Sequence, residues 1–173
     1  MAGMGTHQSA GKGEKVWLTP PALIRALGPF DLDPCFSSPR PWDTAARHFG
    51  PEAAGGFGGL FEEWAGFVWC NPPYDQEVGR WLEKCAAHGD ALALIFARTE
   101  TEAFHTWVWE RADGVFFFEG RLTFNRPDGA LASANGGAPS CLVCYGAEAI
   151  ARVCNSGLRG HFVPLRPRME GAS

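Results

Sequence analysis

Four consecutive residues, Asn71-Pro72-Pro73-Tyr74, follow directly on the apolar run Phe67-Val68-Trp69-Cys70. The run reads as a short buried strand, rich in aromatic and β-branched types, and the two prolines must end it. They remove two backbone N–H donors and fix two φ angles, so the carbonyls before them lose ladder partners. A rigid turn at a strand's carboxyl end thus gathers a carboxamide, free carbonyls and an aromatic face in a small volume. That set suits a planar group bearing an exocyclic amine. The Asn71 side-chain oxygen and the Pro72 carbonyl each accept one amine hydrogen, and Tyr74 stacks on the ring.

An amine conjugated to a heteroaromatic ring is a poor nucleophile, because its lone pair is delocalised. Two acceptors holding its hydrogens favour a pyramidal nitrogen and stabilise the charge that grows as it attacks an electrophilic methyl. No strong base is needed, since the proton becomes acidic only after transfer. A plain turn is the alternative, as Asn-Pro is a common turn initiator. The preceding strand and the following tyrosine favour chemistry.

Thr19-Pro20-Pro21 before an apolar stretch ending at Gly28 predicts a helix with Thr19 as N-cap. Strands are expected at 30–33, 67–70, 91–97, 115–118 and 141–145. Helices are expected at 76–88, with Val78, Trp81, Leu82 and Cys85 on one face, and at 102–111, with Phe104, Trp107 and Val108 inward. A short helix follows at 147–154. Strands alternating with helices predict an α/β domain with a mostly parallel sheet and helices on both faces. Such sheets bind ligands outside the carboxyl ends of their strands, where Asp33 and Asn71 both fall. Two Gly-rich stretches, 50–59 and 125–139, read as loops, the second long enough to suggest a functional or disordered segment.

The 173 residues fit one domain, 16–165, between tails at 1–15 and 166–173. No apolar segment approaches the ~20 residues of a membrane span, and the first fifteen lack a signal peptide's apolar core. The formal charge of −4 gives a nucleic-acid role no help and predicts modest non-specific affinity. Arg98, Arg111, Arg121 and Arg126 are the candidates for a local basic surface. Six scattered cysteines without a signal peptide point to reduced thiols. Cys141 and Cys144 have Cys-x-x-Cys spacing, but three positions apart in a strand they point to opposite faces, so no metal is expected. The five histidines are dispersed and none adjoins a nucleophile.

Asn71-Pro72-Pro73-Tyr74 resembles the catalytic motif of S-adenosylmethionine-dependent methyltransferases acting on adenine N6 or cytosine N4. The wider chain is similar to the small phage-type DNA N6-adenine methyltransferases. The matching pieces are Trp17-Leu18-Thr19-Pro20-Pro21, Phe30-Asp31-Leu32-Asp33-Pro34-Cys35, Gly59-Leu60 with Trp64, and Val68 to Tyr74. Ala97-Arg98-Thr99-Glu100-Thr101, Gly120-Arg121-Leu122-Thr123-Phe124 and Ala138-Pro139-Ser140 follow in the family's order. They span most of the chain, from Trp17 to Tyr145.

The resemblance implies a reduced Rossmann-like methyltransferase fold and a cytoplasmic phage or prophage enzyme that methylates a flipped adenine in DNA. Asn71, Pro72, Pro73 and Tyr74 would be catalytic. Thr19, Pro20 and Pro21 would lie near the methionine end of S-adenosylmethionine, its carboxylate at the helix start. Asp33 would meet the ammonium or sulfonium side, with Pro34 and Cys35 beside it. Leu60 and Trp64 either border the adenine or belong to the core. Arg98, Arg121, Asn125 and Arg126 would meet DNA. One departure is the loop after the first strand, Asp33 to Pro39, which has no glycine although the wider methyltransferase pattern does. The ribose-binding acid is open, with Asp43 and Glu52 as candidates. The same motif also admits cytosine N4, an RNA base or a protein glutamine as the amine, and a catalytically silent nucleic-acid-binding module keeps the fold without the chemistry.

Overall fold

The computed structural model describes residues 17–36, 38–50, 58–73, 77–133 and 137–166. Seven strands form one sheet: β1 (Leu32–Asp33), β2 (Arg47–His48), β3 (Val68–Cys70), β4 (Ala91–Phe96), β5 (Gly114–Phe118), β6 (Ser140–Tyr145) and β7 (Gly160–Pro164). Interleaved with them are α1 (Pro21–Leu27), α2 (Gly58–Phe61), α3 (Val78–His88), α4 (Glu102–Phe104) and α5 (Ala147–Asn155). Helix α4 runs on into a π-helical turn, His105–Trp109.

Period-two alternation along the central strands builds two cores. On one face Ala91, Ala93 and Ile95 of β4 join Cys141, Val143 and Tyr145 of β6. Trp81, Leu82 and Cys85 of α3 cover them, with Phe104 and Val108. On the other face Leu92, Leu94, Leu142 and Cys144 pack against Leu23 and Leu27 of α1 and Ala149 and Val153 of α5. Helices therefore lie on both faces, as expected. Cys141 and Cys144 fall in opposite cores, so they cannot share a metal ion. Arg152 of α5 donates to the carbonyls of Leu27 and Gly28, tying α5 to the end of α1.

The sheet order is β2-β1-β3-β4-β6-β5-β7. Strands β2, β1, β3 and β4 pair in parallel, whereas β4–β6, β6–β5 and β5–β7 are antiparallel. The sheet is mixed, which corrects the expected mostly parallel one. The crossovers from β2 to β5 carry helices and keep the direction, so β5 still points the same way as β4. The next connection, 119–139, contains no helix among the described residues, and β6 returns antiparallel and wedges between β4 and β5.

Among the described residues no helix is long and apolar enough to cross a membrane. The expected tails lie outside the described residues except for Arg166, whose guanidinium donates to the carbonyls of Glu110 and Arg111.

Candidate active site

Strands β1 and β3 are parallel neighbours in register, Leu32 opposite Val68. Their carboxyl ends therefore bring Asp33 and Asn71 to the same edge of the sheet. Pairing of β3 with β4 stops at Cys70 opposite Ala93, as the two prolines require. Pro72 is buried and Pro73 exposed. Asn71 is half-buried, and its Nδ2 donates to the Thr19 hydroxyl at 3.3 Å. Tyr74, with Glu52, lies outside the described residues.

Thr19 does not cap α1. The N-cap is Pro20, Pro21 opens the helix, and no side chain caps it. Pro21 has no N–H to give, and the Leu23 and Ile24 N–H groups already bond the Pro20 carbonyl. The buried Thr19 hydroxyl instead faces Asn71, held there because Leu18 forms a two-way backbone bridge with Asn125.

Asp33 is 4% exposed and bonded through both oxygens. Its Oδ1 accepts the Cys35 N–H at 2.9 Å, and its Oδ2 accepts Arg40 Nη1 at 3.2 Å together with the Thr44 hydroxyl. Arg40 Nη1 also donates to Thr44 Oγ1 at 2.7 Å. The Arg40 side chain is 6% exposed and lies 3.8 Å above the Phe36 ring. Burial pulls its pKa down, Asp33 pulls it back up, and the guanidinium stays charged. Neither Arg40, Thr44 nor Trp42 stands out in the sequence, because an arginine between two prolines in a loop carries no periodic signal.

Cys35 and Cys70 place their sulfurs 3.6 Å apart at the ends of β1 and β3. Burial raises the Cys35 thiol to about 11 and Cys70 well above its usual value, so both are neutral packing groups rather than nucleophiles. The buried Pro34 fits against α2, where a Cβ on Gly59 would overlap the Pro34 carbonyl. Trp64 donates its indole N–H to the Gly59 carbonyl at 2.7 Å, and Lys84 donates to the carbonyls of Leu60 and Glu62. Leu60 and Trp64 pack on the α3 side of the sheet, outside the cavity described next.

That cavity, about 20 Å³, lies between Thr19, Asp33, Arg40, Trp42, Thr44 and Asn71. It is large enough for a small polar group and too small to enclose a nucleoside. A turn at Arg126–Gly129 stands beside it: the Gly129 N–H bonds the Arg126 carbonyl, and Gly129, at φ +85°, rests on Pro41 and Trp42. Asn125 holds this turn. It is 9% exposed, and its Nδ2 donates to the Gly129 carbonyl. Its side chain therefore serves the turn and does not face outward as expected for a DNA contact.

Arg98, Arg121 and Arg126 are exposed, and the first two follow the carboxyl ends of β4 and β5, on the same edge as Asn71. Arg98 pairs with Glu100 at 2.7 Å, Arg126 with Asp128 at 3.3 Å, and Arg121 donates to the Gly137 carbonyl. Asp43 is exposed nearby. Among the described residues no group of three or more His, Cys, Asp or Glu side chains is placed to hold a metal.

The chain matches no protein-family model, no curated protein and no solved structure.

Proposed function

We propose that this chain is an S-adenosylmethionine-dependent methyltransferase of Rossmann-like fold, acting on the N6 amine of a flipped adenine in DNA. The observation that carries the reading is the shared edge of Asn71 and Asp33: a carboxamide before two prolines, one strand away from a buried acid. The chain order of α1, β1, the Asn71 strand and α3 is compatible with that fold. Asp33 lies at that edge with Oδ1 carrying a single hydrogen bond, and this is where an ammonium would be met.

S-adenosylmethionine, when bound, supplies an electrophilic methyl on sulfur. The protein's part is to position the amine. Asn71, anchored by Thr19, accepts one amine hydrogen and stabilises the positive charge that grows on nitrogen as its lone pair forms the new N–C bond and the S–C bond breaks. The extra proton then leaves to water. Asp33 would meet the cofactor's ammonium side, away from the amine.

Transfer of labelled methyl groups to duplex and single-stranded DNA, followed by nucleoside analysis, tests the reading. Label in N6-methyladenine is expected. Label in cytosine or in protein would keep the chemistry and change the substrate. Folded protein that binds no S-adenosylmethionine at millimolar concentration would end the proposal.

A further inference from the structure

The hydrogen bond from Asn71 to Thr19 has a direction, and that direction decides what Asn71 offers a substrate. A carboxamide carries an acceptor on one side and two donors on the other. With Nδ2 turned to the Thr19 hydroxyl at 3.3 Å, Oδ1 faces the other way. The reverse orientation would present the amide NH₂ instead. A hydroxyl can donate or accept, so Thr19 enforces the first orientation only if its own hydrogen goes elsewhere. Thr19 is buried, and among the described residues its hydroxyl makes no other bond. It borders the cavity that Asp33, Arg40, Trp42 and Thr44 also line. Arg40 and the Trp42 indole only donate, and the Thr44 hydroxyl is already taken by Arg40 and Asp33. Asp33, the one acid among the described lining residues, is a carboxylate that only accepts.

We propose that the Thr19 hydroxyl, its hydrogen drawn towards Asp33, fixes the polarity of Asn71 and so makes the site select an amine over an oxo group at the same ring position. This inference rests on the reading of the chain as an amino-methyltransferase, and it gives Thr19 a part in specificity beyond aiming. Adenine and hypoxanthine share their outline, but the 6-amino group donates where the 6-oxo group accepts. Asn71 Oδ1 receives the first and repels the second. To take the oxo base, Asn71 would have to turn over and set its own oxygen against a Thr19 oxygen whose hydrogen is held away. A site built to pair one polar group rejects its opposite because the buried partner is then left unmatched.

The experiment uses a duplex whose adenine the wild-type protein methylates, and the same duplex with hypoxanthine at that position. Each is titrated with S-adenosylhomocysteine present, which has no methyl to transfer. The bases also differ at N1 and in pairing, but those differences act alike in every variant and cancel when preferences are compared. The preference for adenine should shrink about tenfold in Thr19→Val, the scale of one hydrogen bond made and one left unmade. Thr19→Ala serves the same end where Thr19→Val does not fold. Thr19→Ser keeps the hydroxyl and should keep the preference. In Asn71→Asp the side chain accepts in either orientation, so adding Thr19→Val there should change the preference by less than about twofold. An unmoved preference in the folded Val or Ala variant, a loss in Thr19→Ser as complete as theirs, or an equal loss in the Asn71→Asp background would each overturn the polarity role while leaving the methyltransferase reading in place. Folded wild-type protein that methylates no DNA would remove that reading, and this role with it.

Discussion

The Asn71 carboxamide and the Thr19 hydroxyl, 52 positions apart in the chain, meet at 3.3 Å over the carboxyl edge of the sheet. The contact joins the motif strand to the segment before α1, and that segment is itself stitched to Asn125. Asn71 is thus aimed by a second element and not by its prolines alone.

Under the proposed function, Asn71→Ala removes an acceptor that matters mainly in the transition state. Turnover should fall on the order of 10²–10³-fold, with cofactor affinity nearly unchanged. Thr19→Val removes only the aiming contact, worth about 1 kcal/mol, so it should cost roughly fivefold in turnover. The two losses should not add, because the second variant acts through the first residue. Steady-state methylation of the two single variants and the double variant checks this, and full additivity would separate Thr19 from Asn71.

In the proposed function Tyr74 would supply the aromatic face on which the base stacks. Tyr74→Phe should retain most activity, and Tyr74→Ala should weaken base holding by ~1–3 kcal/mol. With 2-aminopurine at the target position, the two proteins should give different fluorescence at matched occupancy. Identical signals would remove Tyr74 from the base pocket.

Arg98 and Arg126 each face an acidic neighbour that a phosphate must displace. Arg98→Ala should weaken DNA binding alike on all sequences and flatten the salt dependence by about one unit of slope. Glu100→Gln frees Arg98 and should tighten binding about two- to fivefold, the span of exposed ion pairs. Titrations at several salt concentrations decide. An unchanged slope in Arg98→Ala would place the DNA surface elsewhere.

His48 sits on the strand that closes the Arg40 segment. Its Nε2 accepts the Ala45 N–H at 3.3 Å, and burial first, then Arg40, lowers its pKa from the ordinary 6.5. The unfolded chain therefore takes up a proton that the fold refuses. Stability from this group is complete above pH 6.5 and is lost as pH falls from there towards the depressed folded value. Melting curves should show a decline below pH 6.5 in the wild type and a flatter one in His48→Gln. Parallel declines would clear His48.

Gly59→Ala drives a Cβ into the Pro34 carbonyl and should cost ~1–3 kcal/mol, lowering Tm by several degrees. Gly137→Ala, where a Cβ meets open space, is the control and should change little. Equal melting temperatures would show that α2 moves away freely.

Much of the fold was legible because it is periodic. Trp81, Leu82 and Cys85 recur at helical spacing, and β4 and β6 are continuous apolar runs. Strands β2 and β7 were missed for the converse reason. Arg47–His48 is two polar residues, and Gly160–Pro164 is an edge strand whose side chains are mostly exposed, so neither shows apolar alternation. Asn71 and Asp33 were legible as strand ends. Arg40 was not, since its place depends on how the loop folds back to Asp33 in three dimensions. The Thr19 cap was misread because a threonine before Pro-Pro satisfies the capping pattern without having to perform it.

The wedge position of β6 governs the order of assembly. Strand β5 leaves the ribosome before β6, yet its slot beside β4 is filled by β6, so β5 has no hydrogen-bonded neighbour until Ser140–Tyr145 emerges. Until then the β4 edge is a bare row of backbone donors and acceptors, open to pairing with the wrong chain. The parallel half carrying Asp33 and Asn71 is synthesised first, but its far edge is sealed only by a segment made some fifty residues after β4 begins. A nascent chain stalled before Ser140 would therefore carry the whole Asn71-Pro72-Pro73-Tyr74 segment on an unfinished, adhesive sheet.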